Sequence, residues 1–270
     1  MSYWVIVFGP EYEKHVFGSG RKKLCIVTCL HGDEKEGLTA LKILERLEGI
    51  DGKVKVIVAN LLAVKHDKRF LESDLNRVFP GSRFGNYEER LAREIVREVR
   101  RCPLVVDLHS TSTFSPPFAI STKEGQKHLE LASLTGVKRL VLMGDEIAKG
   151  KALIDHCRTG ISIELGKKGS YAARENCRKI ISNLLVNLGM IEGEGKASDP
   201  RIYRTMFFLR APEGGFECSL HNFSYVKKGQ IIGKGKGTLL KAREPFYSIL
   251  VGEEHSDLLL IGVKEVGKDA

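Results

Sequence analysis

Glutamine is scarce in this chain: Gln126 and Gln230 are its two copies among 270 residues. Against abundant Glu, Lys, Arg, Ile and Val, that scarcity is the balance of a heat-adapted source. No apolar run approaches the ~20 residues that cross a bilayer, which excludes a helical membrane span. The apolar opening at residues 3–8 is too short for a secretory signal and lacks its basic start, so a cytoplasmic protein is expected. Six cysteines, Cys25, Cys29, Cys102, Cys157, Cys177 and Cys218, form no C-x-x-C pair, and they read as buried thiols of a reducing compartment. The formal net charge is +9, yet Lys and Arg are spread along the chain and no basic stripe is interleaved with aromatics. Nucleic acid is therefore not an expected partner, whereas a small anionic substrate suits the basic balance. No internal repeat or low-complexity tract is evident.

What is present is alternation. From Leu24 to about Met190, short apolar runs of strand type (24–29, 54–59, 104–108, 118–120, 139–142 and 161–165) alternate with segments of helical spacing. The clearest helix spans 87–101, with Asn86 placed to cap it and Glu89 three residues on. Another spans 170–188, with Gly189 just past its end. This order predicts an α/β domain over residues 1–192. A polar, Gly-rich linker follows, and short β-type runs punctuated by Gly and Pro predict a small all-β domain over 200–270. The stretch 225–233 looks like a turn of a barrel-sandwich module. It carries no modified-lysine motif such as MKM, which argues against a swinging-arm role.

The chemistry-bearing residues fall at the ends of the apolar runs. His31 and Glu34 form an H-x-x-E pair where the run 24–29 gives way to a helix, and open α/β sheets place ligand sites at such strand ends. Imidazole and carboxylate are good zinc ligands, and a catalytic zinc takes three protein ligands. His109, after the run 104–108, is the candidate third, with Asp107 on the same strand face able to hydrogen-bond it. Taken singly, these residues also fit a structural histidine and a solvated helix start.

A second cluster runs from Arg69 to Gly81. Arg77 offers a planar fork for a carboxylate, Asn76 a further donor, and Arg69 a charge for a polarised carbonyl. A loop of solvated arginines fits the same spacing. Glu164, near the end of the run 161–165, is a candidate general base in a cleft, or an edge-strand residue facing water. Ser110 to Thr113 read as a polar loop or a pocket wall. Lys167 and Lys168 read as solvent-facing, and His15, His66, His128, His156, His221 and His255 have no ligand-like partners in the sequence.

Taken in order, H-G-D-E, D-L-N-R-V-F-P-G, V-D-L-H-S-T and I-E-L-G resemble the succinylglutamate desuccinylase/aspartoacylase family, a branch of the zinc carboxypeptidase superfamily. The likeness covers residues 24 to about 190 closely and the β tail loosely. It implies a zinc-carboxypeptidase-like mixed sheet flanked by helices, followed by a small C-terminal β domain that walls the mouth of the site. It implies one zinc per chain on His31, Glu34 and His109. It matches Arg69 to the arginine that polarises the scissile carbonyl, and Asn76 and Arg77 to the pair that grips the substrate carboxylate. Glu164 matches the carboxylate that takes a proton from the attacking water and passes it to the leaving amine.

The implied activity is hydrolysis of an amide in a small carboxylate-bearing substrate, foremost deacylation of an N-acyl amino acid. A metallocarboxypeptidase or peptide amidase is the alternative within hydrolases, and a non-enzymatic zinc-binding or regulatory protein is the alternative outside them. Homo-oligomerisation is left open. Three positions depart from the family. Asp33 replaces the usual Asn, as in related murein-peptide amidases. Arg158 stands near a further family arginine but closer to Glu164, and is carried as a candidate substrate contact. No Tyr occurs around residues 254–256, where aspartoacylase contributes one.

Overall fold

The computed structural model describes residues 11–144, 147–211, 216–235, 237–254 and 258–267. The apolar opening at 3–8 lies outside them. In chain order the elements are β1 (Glu13–Phe17), β2 (Ser19–Thr28), α1 (Leu38–Leu44), β3 (Asp51–Val58), α2 (Leu61–Lys65), α3 (Tyr87–Val99), β4 (Leu104–Thr111) and β5 (Phe118–Ser121). They continue with α4 (Gln126–Thr135), β6 (Arg139–Leu142), β7 (Gly160–Lys167), α5 (Tyr171–Asn187), β8 (Arg201–Arg210), β9 (Phe216–Cys218), β10 (Tyr225–Val226), β11 (Ile231–Gly235), β12 (Thr238–Lys241), β13 (Phe246–Ile249) and β14 (Leu258–Val266). Short 3-10 turns at Leu75–Arg77 and Leu153–His156 interrupt the long connections.

Eleven strands form one mixed sheet in the order β1-β3-β2-β4-β7-β5-β6-β8-β14-β13-β10. Its centre, β3, β2, β4 and β7, is parallel, and the C-terminal halves of these strands are largely buried on both faces. Side-chain alternation accounts for the burial. Leu24 and Ile26 of β2 point into a core shared with α1, α4 and α5, while Cys25 and Val27 point into the core covered by α3. The α3 contribution is an apolar stripe, Leu91, Ala92, Ile95, Val96 and Val99, and its start is fixed by the expected capping box between Asn86 and Glu89. Ser170 likewise caps α5 through the Ala173 N–H.

The ladder does not stop at the Gly-rich stretch after α5. Strand β8 pairs in parallel with β6, Arg139 facing Arg201 and Leu142 facing Arg204, and β14 lies antiparallel on β8. The remaining tail strands, β9, β11 and β12, form a small antiparallel sheet. The fold is thus a large mixed sheet flanked by helices with a small C-terminal β sheet, in which the tail's long strands extend the main sheet. Strand β1 is an addition to the sequence expectation. Its pattern EKHVF is largely polar and exposed, so it carries no apolar periodicity, and it forms an edge on β3.

Candidate active site

Strand order reverses between β2 and β4, because β3 lies on one side of β2 and β4 on the other. Crevices at such reversals sit beyond the carboxyl ends of the strands. There Cys29 leaves β2 with a left-handed φ of 57°, unusual for a buried residue with a side chain, and turns the chain so that His31 faces the crevice. Gly32 then passes so close to the backbone of Ala63 that a Cβ would collide with it, and its N–H donates to the Arg69 carbonyl at 3.1 Å. On the far side of the reversal His109 lies in the C-terminal half of β4, in register with Glu164 of β7. In-register neighbours of parallel strands project to the same face, so both reach the crevice.

His31, Glu34 and His109 converge. One atom from each lies within 4.8 Å of the others, and all three residues are buried. Glu34 Oε1 is 2.7 Å from His31 Nδ1, and Glu34 Oε2 is 3.0 Å from His109 Nδ1. The far nitrogens are tied elsewhere. His31 Nε2 is 3.1 Å from Asp74 Oδ1, and His109 Nε2 is 2.8 Å from Asp107 Oδ2. The Nε2 atoms thus face carboxylates and both Nδ1 atoms face Glu34, a pairing that positive charge among the three groups satisfies, carried by protons on Nδ1 or by a metal ion in their place. Burial pushes the Glu34 carboxyl up, but His31 and His109 overcome it and hold the group well below its usual range. Burial pushes His109 down, and Asp107 and Glu34 raise it well above its usual value. Two imidazoles and a carboxylate, each imidazole held from behind, fit a zinc ion in donor type and number.

The loop 69–77 supplies the cationic side. Arg69 donates from Nη1 to Glu34 at 3.2 Å, and from Nε and Nη2 to Asp74 Oδ2 at 3.3 and 3.1 Å. A guanidinium has five N–H groups, so two remain for a ligand. Asn76 accepts from the Leu153 N–H at 2.9 Å, and its Nδ2 lies 3.4 Å from His109 Nε2. Arg77 donates to the Asn76 carbonyl at 2.8 Å and lines the crevice. What holds this loop in place is Glu88, fully buried in the first turn of α3. Its Oε1 accepts from the Leu71 N–H at 2.7 Å and Asn60 Nδ2 at 3.3 Å. Its Oε2 accepts from the Glu72 and Ser73 N–H groups at 3.1 and 3.2 Å.

The crevice is a cavity of about 620 Å³ lined by His31, Glu34, Arg69, Arg77, His109 and Glu164, among others. Glu164 is 9% exposed, and its Oε2 has no hydrogen-bond partner among the described residues. Burial pushes its carboxyl up to about 8; His109 opposes the rise, and Glu34 and Glu253 add to it. A carboxyl raised toward neutrality is suited to taking and returning a proton.

The structure brings seven of the sequence-predicted residues to one cavity: His31, Glu34, Arg69, Asn76, Arg77, His109 and Glu164. It does not bring Arg158, which is exposed and absent from the cavity wall; the chain between Leu153 and β7 turns it outward. Lys168 departs from the solvent-facing expectation: it bridges Asp33 at 2.9 Å and Glu254 at 2.6 Å. The Asp at position 33 thus has a matching cation. The Ser-Thr run after β4 is a tether as well as a wall. Ser110 N–H donates to Glu34 at 2.9 Å, and Ser112 donates to Glu253 from both its N–H and its hydroxyl, at 3.0 and 2.9 Å. Asp74, Glu88 and Glu253 had no assigned role in the sequence. An acidic residue at the start of a strong helix was the one visible trace of Glu88. Of the region where aspartoacylase has its Tyr, Glu254 is described, and His255 and Ser256 lie outside the described residues.

Fold and site together define an α/β protein with an imidazole–carboxylate centre, able to hold a metal ion, at the reversal of a mixed sheet. Comparison with known proteins then places it. The family described as the succinylglutamate desuccinylase/aspartoacylase catalytic domain matches residues 20–187, and the chain belongs to that family. Among curated relatives it is 33% identical over 232 residues to N-alpha-acetyl-L-2,4-diaminobutyric acid deacetylase of Halomonas elongata, covering 76% of this chain and 67% of that protein. It is 27% identical over 246 residues to succinylglutamate desuccinylase of Pseudomonas putida, covering 76% and 70%. Among solved structures, a succinylglutamate desuccinylase/aspartoacylase from Rhodobacter sphaeroides superposes with a TM-score of 0.80 at 21% identity, over 94% of this chain and 89% of that one. These relatives are named as deacylases of N-acyl amino acids.

Proposed function

We propose that the protein is a zinc-dependent deacylase that hydrolyses the amide bond of an N-acyl amino acid. The observation that carries this reading is the convergence of His31, Glu34 and His109 in the cavity that also receives a buried carboxylate oxygen of Glu164 with no hydrogen-bond partner among the described residues. One zinc per chain, held by those three residues, would supply Lewis acidity and lower the pKa of a water to about 7. The chain's own residues do the rest. Glu164 removes a proton from the attacking water. As the water oxygen bonds to the acyl carbon and the C–N bond breaks, Glu164 returns that proton to the departing nitrogen. The two uncommitted N–H groups of Arg69 stabilise the negative charge that develops on the carbonyl oxygen. Arg77 and Asn76 hold the substrate carboxylate and so orient the amide.

A panel of N-acetyl and N-succinyl amino acids, assayed for amine release beside short peptides with zinc-loaded protein, tests the proposal. Turnover of the N-acyl amino acids is expected. A preference for peptides by orders of magnitude would reassign the protein to the peptidases.

A further inference from the structure

Two acidic loops meet at the mouth of the cavity. The loop after β2 carries Asp33 and Glu34, with Glu36 close behind, and the connection from β13 to β14 carries Glu253 and Glu254. Burial pushes the Glu253 carboxyl up, Ser112 opposes the rise, and the charge of Glu34 adds to it, so the two loops feel one another. Like charges at such range drive the loops apart unless a cation lies between them. Arg69 serves Glu34 and Asp74, and Lys35 reaches outward to Asp67. Arg210 and Lys149 bring positive charge to the cavity wall from β8 and from the connection after β6. Among the described residues, the cation shared by both loops is Lys168. Its Nζ pairs with Asp33 Oδ2 at 2.9 Å and with Glu254 Oε2 at 2.6 Å.

The turn that carries Lys168 is itself fixed to the site. The Lys168 N–H donates to the Thr111 carbonyl at 2.8 Å, and the next N–H, of Gly169, donates to Glu36 Oε1 at 2.7 Å. Glu36 is buried, and its other oxygen accepts from the Ser110 hydroxyl at 2.8 Å. On the tail side, the Ser112 hydroxyl donates to Glu253 and accepts from the Glu254 N–H at 3.0 Å. A lysine on an exposed carboxylate alone contributes little. The pair with Asp33 is different, because the two side chains are only 26% and 13% exposed. The other Asp33 oxygen is buried with no hydrogen-bond partner among the described residues, so loss of the ammonium leaves that carboxylate uncompensated.

We propose that Lys168 is a positioning residue that clamps the loop of His31 and Glu34 to the loop of Glu253 and Glu254, so that the metal-binding side of the cavity and its mouth are held as one unit. Its consequence for catalysis rests on the deacylase reading, whereas the clamp itself needs neither metal nor substrate. Lys168 does not line the cavity and acts through Asp33 and Glu254. Removing it frees two segments far apart in the chain at once. Removing Glu254 frees the second alone.

Hydrogen exchange on the metal-free protein tests the clamp. The amides of Gly32 and Glu34 in one loop, and of Val251, Gly252 and Glu254 in the other, are hydrogen-bonded and so report its opening. K168M removes the charge and keeps most of the stem; both sets of amides should exchange about 5-fold faster in it, while those of α3 keep their rates. K168R should restore protection to both sets. E254Q, a change at an exposed carboxylate, should quicken the second set alone. Unchanged exchange in K168M, a rise in one set only, or an equal rise that includes α3 would overturn the proposal. In the zinc-loaded protein, K168M should lower kcat/KM for an N-acyl amino acid about 10-fold, and K168R should regain most of it. Full activity in K168M would refute the positioning role. A natural protein that cleaves no acyl amino acid sinks the deacylase reading instead, and the exchange rates then decide the clamp.

Discussion

Replacing Glu88 with Gln should disable the protein although Glu88 does not line the cavity. Its carboxylate accepts four hydrogen bonds, two at each oxygen, three of them from consecutive backbone N–H groups at residues 71–73. Glutamine keeps the shape but turns one oxygen into an NH2 donor. Either amide orientation then sets that donor against two others: the Leu71 N–H and Asn60, or the Glu72 and Ser73 N–H groups. Each buried donor left unpaired costs about 1–3 kcal/mol, so the substitution should destabilise the fold by about 2–6 kcal/mol. At roughly 2–4 °C per kcal/mol, the melting temperature should fall on the order of 10 °C. The loop it frees carries Arg69, Asp74, Asn76 and Arg77, so kcat/KM should fall with the melting point even well below the transition. Scanning calorimetry and amine release read the two effects. An E88Q protein that melts within a degree or two of the natural one and keeps its kcat/KM would refute the view that this carboxylate holds the catalytic loop.

Glu164→Gln should bind zinc and keep its melting temperature while kcat falls about 10²- to 10⁴-fold, the usual contribution of a general base; retained turnover would remove Glu164 from that role. Asp107→Asn, which weakens the support of His109, should lower zinc affinity about 10- to 100-fold in a competitive chelator titration. Far from the site, Glu98 bonds Lys55 at 2.7 Å and Lys14 at 3.1 Å. Burial opposes ionisation there, but the two lysines prevail and lower the Glu98 carboxyl below its ordinary 4.5. Because the folded state binds this proton less tightly than the unfolded one, the stabilisation is present above about 4.5 and is lost as pH falls through the lowered folded value. Glu98→Gln should thus cost about 1 kcal/mol at pH 7 in urea denaturation, with the difference from the natural protein closing in acid.

The sequence was most legible where chemistry sits at the end of a regular element. His31 follows β2, His109 lies in the last half of β4 and Glu164 lies in β7, so three apolar runs announce where three polar side chains emerge, and the order of the motifs identifies the family. Helix α3 was legible through its cap and stripe. What stayed hidden acts through partners distant in the chain. Glu88 bonds the backbone of residues 71–73, and Lys168 reaches Asp33 and Glu254. Glu253 enters the cavity because β13 and β14 extend the same sheet that carries His109. Backbone hydrogen-bonding leaves no trace in residue type, and the continuation of β6 into β8 cannot be read from the Gly-rich stretch between α5 and β8. Arg158 illustrates the opposite failure, since spacing along the chain placed it near Glu164 while the turn before β7 points it to solvent.

The proposed mechanism requires one zinc held by His31, Glu34 and His109. Its most direct test is a titration of chelator-stripped protein with zinc, following release of free amine from an N-acyl amino acid against metal bound. Activity should rise linearly from zero and level off at one zinc per chain, and His109→Ala should flatten the curve. Full turnover in the stripped protein, or a rise that ignores the loss of His109, would remove zinc from the reaction.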